Sequence, residues 1–139
     1  MSGPLTNPTG AFGVTDLQST VWSNAIPFKT SAAVTAKRVV AIATDSNLVA
    51  LAATNGTAAL CVGIAEGAIA SGYVGNVIIE GIAENVPCTG TVAAGDPLIR
   101  SAATTGSVAT SATPAAGTQI GVAINASSGG VVDVWVCKA

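Results

Sequence analysis

The chain carries the stretch Val62-Gly63-Ile64-Ala65 and, fifty-eight residues later, the similar stretch Ile120-Gly121-Val122-Ala123. A glycine-rich turn follows each copy, and a β-branched run follows each turn, Val77 to Glu80 in the first copy and Val131 to Val136 in the second. β-Branched side chains pack well on pleated sheets and are enriched in strands. The sequence therefore predicts an all-β chain with an internal pseudo-repeat.

Each copy places a glycine inside its apolar run, Gly63 in the first and Gly121 in the second. Glycine within a strand normally costs stability, because it loses more conformational freedom on folding than other residues. Its recurrence at the same place indicates a shared structural need, such as the close approach of another backbone segment or a bend. Coincidence is the alternative, because the chain contains 16 glycines.

From Ser31 onward, short β-branched runs alternate with turn residues at the spacing expected of a β-sandwich or β-barrel. Asp45-Ser46-Asn47 predicts one turn, Asn55-Gly56 gives the strongest hairpin signal, and Gly81 suggests a bulge or bend within a strand. We therefore predict a small β-barrel-like or β-sandwich-like domain over residues 31–139. The predicted strands lie at residues 39–44, 48–53, 59–65, 76–86, 98–99, around 108, 119–124 and 131–137.

Two segments of this domain are less regular. Ser101 to Gly117 is rich in Ala, Thr, Ser and Gly, and this composition predicts a mobile loop or a plain hairpin. A short turn over Glu66 to Ala70 is the one helical element that the sequence allows. No window of a dozen residues shows an amphipathic helical period with caps.

Residues 1–30 differ from the rest of the chain. They hold three of the six prolines and three of the five aromatic residues, without a sustained hydrophobic period. Because proline restricts the backbone and glycine loosens it, this segment predicts an extended N-terminal arm with room for one short strand or turn. Phe12, Trp22 and Phe28 either fold back on the body or anchor the arm to a partner, and both alternatives stay open at this point.

The chain is poor in charge. Only 9% of its 139 residues are charged, whereas an ordinary globular domain has about 25%. This composition favours a surface covered by symmetry-related copies or by a larger assembly. A surface of Thr, Ser, Asn and Gly is the alternative. The net charge is −2 and the five cations are scattered, which argues against nucleic-acid binding, because that normally needs a clustered basic face.

The sequence lacks the residues of common catalytic arrangements. It has no histidine, no CxxC pair and no glycine-rich phosphate loop, so Ser-His, zinc and nucleotide chemistry lack their usual groups. Glu66, Glu80 and Glu84 form the one acidic grouping. Glu80 and Glu84 could share a strand face and serve glycosidic hydrolysis, but exposed strand positions explain them more simply. Calcium at Asp45-Ser46-Asn47 would have too few oxygen ligands. We predict no enzyme activity, no metal and no cofactor.

The three cysteines, Cys61, Cys88 and Cys137, cannot form a closed set of intrachain disulfides. They fit a chain that folds in reducing cytoplasm.

The first thirty residues show no secretory signal. Ser46 to Ala65 has transmembrane length without a charge, but its polar residues and its Asn-Gly turn indicate two short strands instead. We therefore expect no membrane partner.

Several short phrases follow one another in order from Ala33 to Val136. They are Ala33 to Ala36, Arg38-Val39-Val40, Val62 to Ala65, Val77 to Gly81, Ala94 to Leu98, Ile120 to Ala123 and the final Val-rich strand. In this order they resemble the capsid decoration (cement) proteins of tailed bacteriophages. Each phrase is weak alone, and the order over some hundred residues carries the resemblance. Lys37 departs from the pattern, because a glycine often precedes the first strand of the family.

The resemblance implies a compact β-barrel-like domain, often trimeric, on the outside of an icosahedral head. There it would staple neighbouring major capsid subunits after the shell has expanded. The implied partners are the major capsid protein and further copies of this chain, and the implied location is the outer capsid surface of a virion, after synthesis in the host cytoplasm. Phe12, Trp22 and Phe28 become candidate anchors at the capsid or partner interface.

Two alternative functions stay open beside this one. The first is another structural module of a virion or cell surface, such as a tail, spike or adhesin domain, in which exposed aromatic residues would stack on sugars. The second is a carboxylate-based hydrolase, for which Glu80 and Glu84 would have to converge in a cleft.

Overall fold

The structure is a computed structural model that describes residues 23–42, 48–51 and 61–137. Within these residues the chain forms nine β-strands joined by turns and irregular segments, and it forms no helix. The strands are β1 (Ser23–Thr30), β2 (Val39–Ile42), β3 (Leu48–Leu51), β4 (Cys61–Ala65), β5 (Val74–Pro87), β6 (Pro97–Arg100), β7 (Val108–Thr110), β8 (Gln119–Ala123) and β9 (Val131–Val136).

The nine strands form one sheet in the order β1-β3-β2-β4-β5-β9-β8-β6-β7. The sheet closes on itself because β1 pairs with β5 as well as with β3, which completes a ring of five strands. At the other end of the order, a parallel bridge between Cys88 and Val108 links the chain just after β5 to β7. β5 is thus common to two barrel-like lobes, and the prediction of a small all-β, barrel-like domain is confirmed.

The two lobes repeat the same strand connections. β2 pairs with β3 and β4, and β4 pairs with β5. In the same way β6 pairs with β7 and β8, and β8 pairs with β9. The register shifts at the same point in both lobes, between Val40 and Ala41 in the first and between Leu98 and Ile99 in the second. The predicted pseudo-repeat is therefore present in the backbone as well as in the sequence.

We call residues 23–80 the first repeat and residues 81–137 the second repeat, so that β5 is divided between them. Equivalent residues lie fifty-eight positions apart in β2 and β6 and in β4 and β8, and fifty-nine positions apart in β3 and β7. They lie fifty-seven apart in β5 and β9, because the turn before β9 is one residue shorter. The hydrogen bonds repeat as well. The Lys37 N–H donates to the Ala65 carbonyl at 2.9 Å, and the Gly95 N–H donates to the Ala123 carbonyl at 2.8 Å.

The equivalence of Lys37 and Gly95 explains the departure from the family pattern. Both residues have a left-handed backbone, with φ of 63° at Lys37 and 91° at Gly95. Glycine adopts this conformation without a steric penalty, whereas a residue with a Cβ is uncommon there. Lys37 therefore occupies a glycine position whose backbone geometry is the same in both repeats.

Gly63 and Gly121 meet the same obstacle in the two repeats. A Cβ atom on Gly63 would overlap the carbonyl oxygen of Ile78, and a Cβ atom on Gly121 would overlap the carbonyl oxygen of Trp135. Ile78 and Trp135 are equivalent residues in the neighbouring strands β5 and β9. The prediction that these glycines allow a close backbone approach is confirmed.

The buried apolar residues form two clusters. The main core draws on both repeats and consists of Val39, Ala41, Cys61, Ile64, Ile78, Ala83, Val86, Val92, Leu98, Val108, Ile120, Ala123, Val132, Val134 and Val136. The first-repeat cluster consists of Val34, Val40, Ala65, Ile69 and Val77, with Phe28 and Val62 packed against it. The interior of the second lobe therefore packs directly against one face of the first lobe.

Most predicted strands occur, with ends that differ by a few residues. The weak run near Val108 is β7, which pairs with β6, so the segment from Ser101 to Gly117 contains a hairpin strand. Glu66 to Ala70 contains no helical turn. Gly81 has φ of 113° and lies within the continuous strand β5. The predicted turns at residues 45–47 and 55–56 lie outside the described residues.

Residues 23–30 of the predicted arm form β1. This strand pairs with β5 from Ser23, opposite Gly81, to Lys29, opposite Val74. At its end it also pairs with β3. The last eight residues assigned to the arm are thus part of the sheet, whereas residues 1–22 lie outside the described residues.

Candidate interaction surfaces

One face of the first lobe is buried, whereas the equivalent face of the second lobe is open. The first-repeat residues of this face are Val39, Ala41, Cys61, Ile64 and Ile78, all at most 7% exposed. Their second-repeat equivalents are half-buried or exposed, and we call this set the Trp135 face: Pro97, Ile99, Gln119, Val122 and Trp135. The difference arises because the main core covers the first set, while the residues of the second set face away from the main core.

Strand pairing makes the Trp135 face continuous. Pro97 pairs with Val122, and Val122 pairs with Trp135 in the next strand. Ile99 pairs with Gln119 one step further along. Trp135 is 56% exposed, and tryptophan is among the residues most enriched at the centres of protein interfaces. The face therefore has the composition of an interaction surface.

Alternation along β9 determines where Trp135 lies. Val132, Val134 and Val136 are buried in the main core. Successive side chains of a strand point to opposite faces of the sheet, so Asp133 and Trp135 lie on the outward side. The same rule could have identified Trp135 from the sequence.

The Asp133 carboxylate beside Trp135 is engaged in fixing the backbone. The Asn85 N–H donates to its Oδ1 at 2.9 Å, and the Asn125 side-chain amide donates to its Oδ2 at 2.8 Å. The Asn125 side-chain carbonyl in turn accepts the Asp133 N–H at 3.0 Å. Asn85 itself has φ of 58°, so these hydrogen bonds hold an irregular point of β5 against β9.

The first lobe contains an apolar groove with a volume of about 650 Å³. Its lining consists of Ile26, Phe28, Ile42, Cys61, Val62, Ile79, Glu80 and Cys137. Glu80 is the one charged residue in that lining. Phe28 is half-buried and packs against the first-repeat cluster, while Ile26 and Ile42 are about two-fifths exposed, at 40% and 41%. The groove could bind an apolar side chain but offers few polar groups to orient a substrate.

A smaller apolar patch lies where β5 begins. Tyr73 is 70% exposed and Val74 is 63% exposed. The adjacent turn is held by the Gly72 N–H, which donates to the Thr30 carbonyl at 3.0 Å, and by the Thr30 hydroxyl, which donates to the Ala70 carbonyl at 2.9 Å. This patch therefore lies on a well-fixed turn rather than on a free end.

The candidate catalytic carboxylates do not form a site. Glu66, Glu80 and Glu84 are all exposed, and Glu84 does not line the groove that Glu80 borders. Among the described residues no three His, Cys, Asp or Glu side chains group together as metal ligands. The same part of the chain contains no helix long and apolar enough to cross a membrane.

The cysteines occupy three different environments. Cys61 is buried in the main core, while Cys88 and Cys137 are half-buried. Burial raises the pKa of the Cys88 thiol, and a hydrogen bond with the Ser127 side chain acts in the opposite direction. A thiol in this state is a weak nucleophile at neutral pH, because the thiolate is the reactive form.

The predicted anchors fall in different parts of the chain. Phe12 and Trp22 lie outside the described residues, and Phe28 lies on β1 at the edge of the groove. Their role at a capsid or partner interface stays a prediction. Sequence reasoning overlooked Trp135 and Tyr73, the two most exposed aromatic side chains of the described residues.

The described residues combine an all-β body, an exposed Trp135 face and an apolar groove. Residues 18–138 match the phage cement protein family. The match covers most of the chain, so the chain belongs to the phage cement protein family, as its sequence resemblance indicated. No curated protein matches the chain.

A solved structure shares this fold. It is the crystal structure of the N base of the head fiber gp8.5 in bacteriophage phi29. Its TM-score to this chain is 0.57, and the sequence identity is 16%. The match covers 84% of this chain and 95% of that one. At this identity the likeness concerns the fold alone. The family, by contrast, gives the chain a structural role associated with the phage capsid, and a location in the virion.

Proposed function

We propose that this protein binds the outside of an icosahedral phage head and stabilises the expanded capsid by bridging major capsid subunits. The observation that carries the proposal is the match to the phage cement protein family over residues 18–138. The low charge of the chain and its exposed apolar surfaces support it, because such surfaces are typical of proteins that work within an assembly.

The physical basis of such stabilisation is additional contact area. Packaged DNA presses outward on the shell, so a molecule that binds two neighbouring subunits adds contacts that must break before the shell ruptures. A rigid body suits this role because ordering a flexible binder consumes part of its binding free energy. Both lobes share β5 and the main core, and the protein therefore offers one stiff body to its partners.

The partners in this proposal are the major capsid protein and further copies of this chain, arranged as a homotrimer. No nucleic acid, membrane, cofactor or enzymatic activity is part of the proposal. The location is the outer surface of the virion, after synthesis in the host cytoplasm. Phe12, Trp22 and Phe28 are proposed contacts at the capsid or partner interface, since aromatic anchors can offset the entropy lost when an arm is ordered.

Co-sedimentation with heads tests the proposal. Purified protein is mixed with undecorated heads of the parent phage, in the expanded and in the unexpanded form, and pelleted. We expect saturable binding at a fixed ratio to capsid subunits on expanded heads only. If the protein stays in the supernatant while the heads are intact, the cement role is wrong, and a tail, spike or adhesin role becomes the leading alternative.

A deletion separates the arm from the body. Because β1 begins at Ser23, removal of residues 1–22 retains all nine described strands. We expect this variant to fold with an unchanged unfolding midpoint and to bind expanded heads more weakly than the full chain. Equal binding by the two proteins would show that Phe12 and Trp22 are not anchors.

A further inference from the structure

Within one chain, one face of the first lobe packs against the open end of the second lobe. Val86, Ile120 and Val136 belong to the second lobe and are fully buried. They lie in the same continuous core cluster as Ile64 and Ile78 of the first-lobe face. The first-lobe face therefore covers the apolar interior of the second lobe.

Among the residues that the structure describes, the first lobe has the same open end without such a cover. The equivalents of Val86 and Ile120 are Phe28 and Val62, and the equivalent of Val136 is Ile79. All three equivalents are half-buried, and all three line the groove. The first lobe thus presents an open end. The second lobe presents the Trp135 face, which is equivalent to the first-lobe face that covers the open end of the second lobe.

We infer that the Trp135 face of one copy docks on the groove of a second copy, so that copies join head to tail in solution. This inference rests on the proposed homo-oligomer and names the surfaces that form it. It reproduces between chains the contact that already joins the two lobes within a chain. The occupant of the groove is therefore a second copy of this chain, with Trp135 as the inserted side chain.

The chemistry of the two surfaces fits this contact. The five residues of the Trp135 face are uncharged, and the neighbouring Asp133 carboxylate is already hydrogen-bonded to Asn85 and Asn125. The described lining of the groove contains one charged residue, Glu80. Joining them buries apolar area without the desolvation of an unpaired charge at the centre, which would oppose association. The groove volume of about 650 Å³ is large enough to admit an aromatic side chain.

Two polar contacts of the internal joint are not repeated between copies. The Val39 N–H donates to the Gly106 carbonyl at 2.8 Å, and the residue equivalent to Val39 is Pro97, which has no N–H.

Across the lobes, the Arg38 guanidinium donates to the Thr105 carbonyl at 3.2 Å and to the Ser107 hydroxyl at 3.1 Å. Asp96 is the equivalent of Arg38, and its carboxylate instead accepts the Ala93 N–H at 2.9 Å. The contact between copies therefore lacks both polar contacts, and we expect it to be weaker and reversible.

A head-to-tail contact uses different surfaces on the two partners. Such heterologous contacts produce rings when the rotation closes and open filaments when it does not. A closed ring of three copies would present six lobes in succession and would satisfy the proposed trimer. The mass of the oligomer in solution gives the number of copies.

Tryptophan fluorescence reports on the face directly. The sequence has two tryptophans, so the full-length Trp22→Phe variant leaves Trp135 as the single emitter. We expect emission typical of a water-exposed indole at low concentration, and a shift to shorter wavelength as concentration rises. A short-wavelength emission at every concentration that lengthens on deletion of residues 1–22 would show that the chain's own N-terminal segment covers the face, and the inference would fail.

Sedimentation with matched variants tests both surfaces. Trp135→Ala removes the inserted side chain, Ile26→Lys places a charge in the groove, and Tyr73→Ala removes an exposed aromatic outside both surfaces. We expect the first two variants to be monomers of 13.4 kDa under conditions where the wild type and Tyr73→Ala are oligomers. A monomeric wild type at the highest attainable concentration, or an oligomeric Trp135→Ala, would overturn the inference.

Mixing the two monomeric variants distinguishes head-to-tail from face-to-face contact. The Trp135→Ala copy keeps its groove and the Ile26→Lys copy keeps its Trp135 face, so one native contact can form between them. We expect a one-to-one heterodimer that grows no further. No mixed complex from two folded variants would contradict head-to-tail docking. Head binding is measured separately, so a protein that binds heads but fails these tests would refute this inference alone.

Discussion

The two repeats have the same backbone plan and opposite surroundings. In the first repeat, Ile64 and Ile78 lie against the second lobe and are buried. In the second repeat, the equivalent Val122 and Trp135 face outward. The local structure that carries these residues is the same, down to the register shift and the close approach at Gly63 and Gly121. Burial in this protein therefore depends on which lobe is placed next to a face, whereas strand geometry depends on the repeat itself.

The largest expected effect tests what the repeats share. Gly63→Ala and Gly121→Ala each place a Cβ against a backbone carbonyl oxygen that cannot move without separating two paired strands. Overpacking of this kind typically costs about 1–3 kcal/mol and occasionally more. Because the obstacle here is backbone, we expect the upper end or a loss of cooperative folding, measured by urea denaturation.

Gly67→Ala is the matched control for these two variants, because nothing lies within 4 Å of a Cβ at that position. We expect its unfolding midpoint to equal that of the wild type. If Gly63→Ala were destabilising and Gly121→Ala were neutral, the two close approaches would not be equivalent, and the structural basis of the repeat would be wrong.

The next effect tests how the repeats differ. Ile78→Ala removes a side chain that is 2% exposed, and such truncations cost about 2–5 kcal/mol. Trp135→Ala removes a larger side chain at the equivalent position, but on an open face, and we expect a change below about 1 kcal/mol in the monomer. Urea unfolding at low protein concentration measures both. Similar losses for the two variants would mean that Trp135 is covered within its own chain.

A smaller effect concerns the joint between the lobes. Arg38→Ala removes the hydrogen bonds to Thr105 and to the buried Ser107. Hydrogen bonds that involve a charged group contribute about 1.5–3 kcal/mol, and partial exposure of Arg38 places our expectation near the lower value. Thermal unfolding measures the change, with the exposed Lys29→Ala as a control for the loss of a cation. Equal melting temperatures for the two variants would show that the Arg38 hydrogen bonds do not stabilise the contact between the lobes.

The smallest expected effect concerns Cys88, whose equivalent in the first repeat is Thr30. Burial raises the pKa of the Cys88 thiol above its ordinary value of 9.0, so the folded protein holds the proton more tightly than the unfolded chain. The resulting stability is fully present below pH 9.0 and is lost as pH rises through the folded pKa. We expect the unfolding free energy to fall as pH rises above about 9 and through the folded pKa, and Cys88→Ser to reduce this fall. An unchanged pH profile in Cys88→Ser would place its origin elsewhere.

Much of the strand arrangement could be predicted from local sequence. The β-branched runs identified most strands, and the recurrence of Gly63 and Gly121 identified a close backbone approach. β1 was harder to predict because its burial pattern does not alternate cleanly and Pro27 interrupts it. Its strand conformation comes from pairing with β5 along nearly its whole length, which is a long-range contact.

The interaction surfaces were less accessible to sequence reasoning. Alternation along β9 places Trp135 on the face opposite the buried valines. Its equivalent in β5, Ile78, occupies the corresponding position but is buried. Whether an outward face is covered depends on the position of the other lobe, and no local pattern encodes that. The attention given to Phe12, Trp22 and Phe28 followed from their unusual segment, whereas Trp135 is placed in a regular strand.

The continuous strand β5 has a consequence for how the protein transmits force. It runs for 14 residues through both lobes, so no flexible linker separates them. A pull applied to one lobe and resisted at the other is carried by covalent backbone and by rows of strand-to-strand hydrogen bonds, to β1 on one side and to β4 and β9 on the other. Many such bonds must break together before the lobes part. In the proposed cement role, the molecule would therefore extend little when a force pulls its two lobes apart.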